Sequence, residues 1–193
     1  MTKQSLERPS LELLDQELHR RKRKGEYSRT MRGTIYVLVT VAAVAVLVAT
    51  IFLPVLQVYG SSMEPTLVNG ELVLALKTGD FRRGDVVAFY YNNKILLKRV
   101  IAVQGDQIVI REDGEVLVNG EVLNEPYVSE KSLGECDIDF PFQIPDNRIF
   151  VMGDHRESSI DSRSTAIGCI SDEFIVGKVL FRFWPLNRMG MVS

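Results

Sequence analysis

The chain has 193 residues, 46% of them hydrophobic and 25% charged, with a formal net charge of −2. That balance excludes disorder as the dominant state and a nucleic-acid binder held by overall basic charge. The two cysteines, Cys136 and Cys169, exclude a disulfide-dense scaffold and a four-cysteine zinc site. The near-neutral total is a cancellation between segments. Residues 1–32 carry 9 basic and 5 acidic groups, residues 33–53 carry none, and residues 54–193 carry 14 basic and 20 acidic groups.

Leu11 through His19, preceded by Ser10, reads as a short amphipathic helix. Behind it, His19 to Arg32 holds seven Lys/Arg and one Glu. From Gly33 to Leu53 follow 21 uncharged residues, enough helix to cross about 30 Å of hydrocarbon. A buried core helix would normally show a polar face, and this stretch has none. A cleaved secretory signal would have a shorter apolar region nearer the start. The expectation is an uncleaved anchor in a lipid bilayer. Only Glu64 is charged between Pro54 and Gly70, so the basic flank assigns residues 1–32 to the cytoplasm and 54–193 to the outside.

Beyond the anchor, short runs rich in Val, Ile, Leu and Phe alternate with turn signals. Strands are predicted at Glu71–Leu76, Asp85–Tyr91, Ile95–Val103, Gln107–Arg111, Glu115–Val118, Arg148–Met152 and Ile175–Phe183. Turns are predicted at Asn69-Gly70, Gly79-Asp80, Gly105-Asp106, Asp113-Gly114 and Asn119-Gly120. The clearest hairpin is 108–120, with Asp113-Gly114 as a two-residue turn. The fold class is mostly β: a coiled, antiparallel, barrel-like domain of about 140 residues after one transmembrane helix.

Gly60-Ser61-Ser62-Met63-Glu64-Pro65 is a turn that exposes a hydroxyl just past the anchor. A serine nucleophile needs a base. His19 lies on the wrong side of the anchor, and His155 sits in a charged loop. Lys98 stands in an otherwise apolar strand and shares a face with Leu96, Val100 and Ala102. Burial there lowers a lysine pKa and makes the neutral amine a base, whereas a lysine that reaches solvent from the strand keeps its charge. The strand by itself leaves both outcomes open. No metal-ligand cluster or phosphate-binding glycine loop is present, so neither metal nor cofactor is expected.

Four segments in order carry a resemblance: GSSMEPTL (60–67), GDVVAF (84–89), KRVIAVQGD (98–106) and GDHRESSIDSR (153–163). They are similar to the signature boxes of type I signal peptidases, membrane-anchored Ser-Lys proteases of bacteria that remove signal peptides from exported preproteins. The short Gram-positive forms are the nearest in pattern. The resemblance implies Ser62 as nucleophile and Lys98 as general base. Ser159 would orient the lysine, Asp161 and Arg163 would form an ion pair shaping the site, and Asp154 would support that pair. Val58, Met63, Leu67 and Leu97 would line shallow pockets for small residues before the cut, as in A-x-A-like sites. The substrate would lie extended, as an added strand. The oxyanion would be held by the Ser62 N–H, and Gly60 stands where some members supply a second donor.

Three other positions depart from the family pattern: His155, Ala102 and Gln104. In this topology a Cys136–Cys169 disulfide is permitted. Phe140-Pro141-Phe142 is a candidate for lipid contact, and the aromatic residues of 181–185 for core packing. Two alternatives remain: a Ser-Lys peptidase with one dedicated client, or an inactive anchored β module that binds exported proteins. The partners expected are preproteins and the bilayer, without nucleic acid, and the sequence sets no oligomeric state.

Overall fold

A computed structural model describes residues 11–192. Its first element, α1, is a single helix from Leu11 to Phe52. The short amphipathic helix foreseen from Leu11 is therefore the beginning of a longer one, and its start at Ser10 lies outside the described residues. Within α1, Thr30–Phe52 is long and apolar enough to cross a membrane, and its side chains are exposed. Val, Ile and Thr are mediocre helix formers in water, but in lipid a lone span must satisfy its own backbone. Contact density divides the chain into units at 1–48 and 49–193, which are described separately.

Among the described residues the second unit has twelve strands. They are β1 (Val55–Gln57), β2 (Leu72–Leu76), β3 (Val86–Tyr91), β4 (Lys94–Val103), β5 (Gln107–Ile110), β6 (Val116–Val118), β7 (Glu121–Val122), β8 (Phe142–Gln143), β9 (Arg148–Met152), β10 (Ile170–Ser171), β11 (Ile175–Trp184) and β12 (Gly190–Met191). All pairings are antiparallel. One sheet runs β1-β2-β11-β3-β4-β9-β10, with β12 paired to β11, and a second runs β7-β6-β5-β8. The first sheet ends at β1 and β10 and stays open, so the mostly β, antiparallel expectation holds without closure into a barrel.

Turn chemistry sets the registers. Asn92 and Asn93 both take positive φ, at 44° and 62°, and join β3 to β4 through a two-residue turn. Asn119-Gly120 does the same between β6 and β7, at 54° and 82°. This is the hairpin geometry that matches strand twist. The Asp113-Gly114 turn is one residue longer than expected. The Gly114 N–H donates to the Arg111 carbonyl, the Arg111 N–H donates to the Glu115 carbonyl, and only Gly114 has positive φ.

Three apolar clusters fill the unit. Val58, Met63, Leu67, Val73, Ala75, Val86 and Val179 form one, and Val87, Phe89, Val100, Ile149, Val151, Ile170 and Ile175 another. The third holds Ile101, Ala102, Phe150 and Met152 with apolar residues of the second sheet. Phe140 and Phe142 pack on this third cluster, and of the aromatic residues at 181–185 Phe181 and Phe183 are partly buried while Trp184 is half exposed. Cys136 and Cys169 are both free thiols, and burial raises the Cys169 pKa to about 11.

Candidate active site

Three segments meet around Ser62. The turn after β1 carries the hydroxyl, β4 carries Lys98, and the loop after β9 carries residues 153–163. The register that pairs Arg99 with Met152 sets Lys98 beside the start of that loop at Gly153. A register shift between Val100 and Ala102 removes Ala102 from the face of Lys98 and sends it into another cluster with Ile101. Leu96 and Val100 remain neighbours in parity and belong together to the second cluster.

Lys98 is buried, with 3% of its surface exposed, so it does not reach solvent. Its Nζ donates to Ser159 Oγ at 2.8 Å, and Ser159 Oγ in turn donates to Asp161 Oδ2 at 2.7 Å. Burial lowers the Lys98 pKa from 10.5 to about 8, with Asp161 opposing the shift and Arg163 reinforcing it. About one amine in ten is then neutral at pH 7, against roughly one in two or three thousand for an ordinary lysine. Lys98 is hydrogen-bonded to Ser159 and not to Ser62. The Ser62 carbonyl accepts from the His155 N–H at 3.1 Å, which ties the turn to the same loop.

Asp161 is held from all sides. Arg163 Nε donates to its Oδ1 at 2.8 Å, Arg163 Nη2 donates to its Oδ2 at 2.9 Å, and the Gly153 N–H donates to Oδ2 at 2.9 Å. Arg163 spends its other donors on the carbonyls of Ser132, Leu133, Arg156 and Ser159. The expected Asp161–Arg163 pair is present and fully buried. Asp154 does not join it. Its carboxylate accepts instead from Arg99 Nε and Nη2, both at 2.8 Å, and from Thr66 Oγ1 at 2.5 Å. The reason is register: Arg99 neighbours Lys98 on β4, and β4 pairs with β9 just before the Asp154 loop.

Sequence reasoning assigned no role to Arg99, which is 1% exposed, stacks over the Tyr127 ring at 3.9 Å and donates to the Gly84 carbonyl. It also missed the buried Arg156–Glu125 pair. An arginine inside an apolar strand next to Lys98 was a visible signal, but its partner lies 55 residues away.

A groove of about 750 Å³ opens beside Ser62. Its walls are residues 55–60 with Met63 on one side and Asn93–Leu97 on the other. Val58, Met63 and Leu97 line it as expected. Leu67 does not, because it is fully buried in the first cluster with Val73 and Val86. Both walls are strand edges. Among the described residues β1 pairs only with β2, and β4 meets β9 only from Arg99 onward. Four antiparallel steps, β1-β2-β11-β3-β4, separate the walls, so the two edges run in the same direction, each toward the Ser62–Lys98 end.

The Ser62 N–H donates to no protein acceptor among the described residues, and the Gly60 N–H is taken by Asn69 Oδ1 at 3.1 Å. The arrangement supplies a hydroxyl, a buried amine of lowered pKa and a free backbone donor at the end of a cleft. It can support acyl transfer.

A family model described as "Signal peptidase, peptidase S26" matches residues 31–184. A "Signal peptidase I" of Bacillus licheniformis is 35% identical over 166 residues, covering 79% of this chain and 88% of that protein. A "Signal peptidase IB" of Staphylococcus aureus is 40% identical over 149 residues, covering 67% and 76%. A crystal structure of a signal peptidase I from Enterococcus faecalis matches with a TM-score of 0.44 at 24% identity, over 51% of this chain and 96% of that one.

Proposed function

The chain belongs to the signal peptidase family S26, and from that membership we propose that it removes signal peptides with Ser62 as nucleophile and Lys98 as general base. It is a membrane-anchored serine peptidase. The observation that carries the assignment of the base is the buried Lys98, hydrogen-bonded to Ser159 beside the Ser62 turn, with its pKa lowered to about 8.

Ser159 sets the direction of the lysine. Its hydroxyl proton goes to Asp161, so its oxygen accepts one proton of Lys98. That fixes one N–H of the amine and leaves the nitrogen lone pair for the Ser62 hydroxyl. As Ser62 Oγ attacks the scissile carbonyl carbon, its proton passes to Lys98 Nζ. The oxyanion is received by the Ser62 N–H. When the tetrahedral intermediate collapses, Lys98 returns the proton to the departing amine. Lys98 then takes a proton from water as the water attacks the acyl ester, and returns it to Ser62 Oγ as the C–Oγ bond breaks, which restores both groups. Asp161, Arg163, Asp154 and Arg99 take no proton in this scheme and hold the geometry.

The groove supports an extended substrate. Residues before the cut must run toward Ser62, and so parallel to both β1 and β4, completing a sheet between their free edges. Val58, Met63 and Leu97 fill the space near the hydroxyl and favour small side chains there. The organisation follows the charge pattern: residues 1–32 in the cytoplasm, 33–53 as anchor, and 54–193 outside a bacterial membrane.

The test is cleavage of a preprotein by the full chain and by its Ser62→Ala and Lys98→Ala variants. Loss of cleavage in both supports the dyad. Parent-like cleavage by either removes that residue from the mechanism.

A further inference from the structure

A second buried ionic group touches the nucleophile turn, and nothing in the dyad accounts for it. Glu71, 3% exposed, precedes β2. Its Oε2 accepts from the Val68 N–H at 3.1 Å and from Arg182 Nη1 at 3.2 Å. Its Oε1 lies 2.7 Å from Arg188 Nη1, a charge contact without the alignment of a hydrogen bond. Its backbone carbonyl accepts from the N–H of Val58, a groove residue.

The two arginines also reach the turn itself. Arg182 Nη1 donates to the Thr66 carbonyl at 2.8 Å, and Arg188 Nη2 donates to the Pro65 carbonyl at 3.3 Å. They are coupled to each other, since Arg182 Nε donates to the Arg188 carbonyl at 2.6 Å. Both come from the final segment, which folds back after β11 through a single 3-10 turn at Leu186–Arg188 and is zipped down by β12 on β11. Arg188 lies outside the part of the chain that the family model matches.

Inside the turn, the backbone bonds are few: Glu64 N–H to the Ser61 carbonyl and Leu67 N–H to the Met63 carbonyl. External ties therefore fix where Ser62 sits. One set is already described, His155 on the Ser62 carbonyl and Asp154 on Thr66. The arginine pair supplies the other.

We propose that Arg182 and Arg188, gathered by Glu71, are positioning residues that strap the nucleophile turn and hold the Ser62 hydroxyl in reach of Lys98. The inference rests on the Ser62–Lys98 reading above. Release of the strap lets the hydroxyl wander relative to a fixed base, which lowers the rate of attack. It leaves the groove walls and the surroundings of Lys98 in place, so substrate affinity and the titration of the base stay where they were.

The experiment uses the full chain in detergent–phospholipid micelles with a preprotein substrate, comparing the parent with Arg188→Ala, Arg188→Lys and Ser62→Ala. Arg188 is chosen because its side chain is 37% exposed, outside the packed core. For Arg188→Ala the expected result is a fall in kcat of about 10-fold. KM should stay within about two-fold and the alkaline midpoint should not move, with partial recovery in Arg188→Lys. Parent-like kcat overturns the proposal. So does a loss that only tracks the folded fraction, or one accompanied by a shifted midpoint or an equal change in KM. Should Arg188→Ala fail to fold, Arg188→Lys decides alone: it keeps a charge near Glu71 but lacks the planar fork that also reaches Pro65. Lowered kcat at constant KM then supports the strap, and parent kcat overturns it. A cleaving Ser62→Ala variant shows that the dyad reading has failed. A dead Ser62→Ala variant beside a fully active Arg188→Ala shows that the strap alone has failed.

Discussion

The backbone N–H of His155 donates a 3.1 Å hydrogen bond to the carbonyl of Ser62. The turn that presents the hydroxyl and the loop that presents Ser159 are thereby one backbone assembly, with Gly153 between them. A Cβ on Gly153 would stand 2.3 Å from Ser159 Oγ and 2.5 Å from the Ser62 carbonyl oxygen, closer than real atoms approach.

Gly153→Ala is therefore expected to push the turn away from Ser159 and to lower kcat by about 100-fold. Steady-state cleavage by a folded variant, verified by its melting curve, checks this. Activity within a few-fold of the parent would mean that the loop yields without moving either serine.

The pH dependence follows from Lys98. Its pKa of about 8 in the folded protein makes kcat/KM rise through that region and level off above it. The measurement is a pH profile between 6 and 10, and a flat profile contradicts lysine as the base.

The same shift carries a stability cost. Folded Lys98 releases its proton near pH 8, whereas the unfolded lysine holds it to 10.5. Between those values the unfolded chain binds more protons, so this group's contribution to stability rises with pH and is at its lowest below 8. Lys98→Met should therefore be inactive yet more stable than the parent at pH 7, by up to about 3 kcal/mol. Chemical denaturation at pH 7 and pH 10 tests the sign, and the advantage should shrink at the higher pH.

Arg163→Ala leaves the Asp161 carboxylate buried without its partner and four backbone carbonyls without their donor. A loss of about 3–5 kcal/mol is expected. Removing Ser159 instead takes one small hydroxyl. Ser159→Ala should fold normally but lose about 100-fold in kcat, because Lys98 is no longer held by its acceptor. Unfolding curves set beside turnover numbers separate the two cases.

The long strands were legible because runs of six to ten residues rich in β-branched, aliphatic and aromatic side chains mark β3, β4 and β11. Two-residue strands such as β8 and β10 carry no period at all and were invisible. The Asn92-Asn93 turn was overlooked between two strands that were both recognised, although asparagine tolerates positive φ. At the site, the Asp161–Arg163 pair was readable from the ordered boxes. The partner of Asp154 was not, since it depends on a β4–β9 register set by contacts far apart in sequence. Leu67 illustrates the same limit from the apolar side. Proximity to Ser62 in sequence gave it a pocket role, but the turn points it into the core with Val73.

The two free strand edges that border the groove have a kinetic implication. A backbone ladder grips the segment before the cut without regard to whether the next peptide bond is intact, so the severed fragment is retained by the same contacts as its precursor. Where no lipid is present to receive it, departure of that fragment limits turnover, because an apolar fragment leaves most readily into a bilayer. Supplying bilayer as a sink should raise steady-state turnover without changing the single-turnover rate.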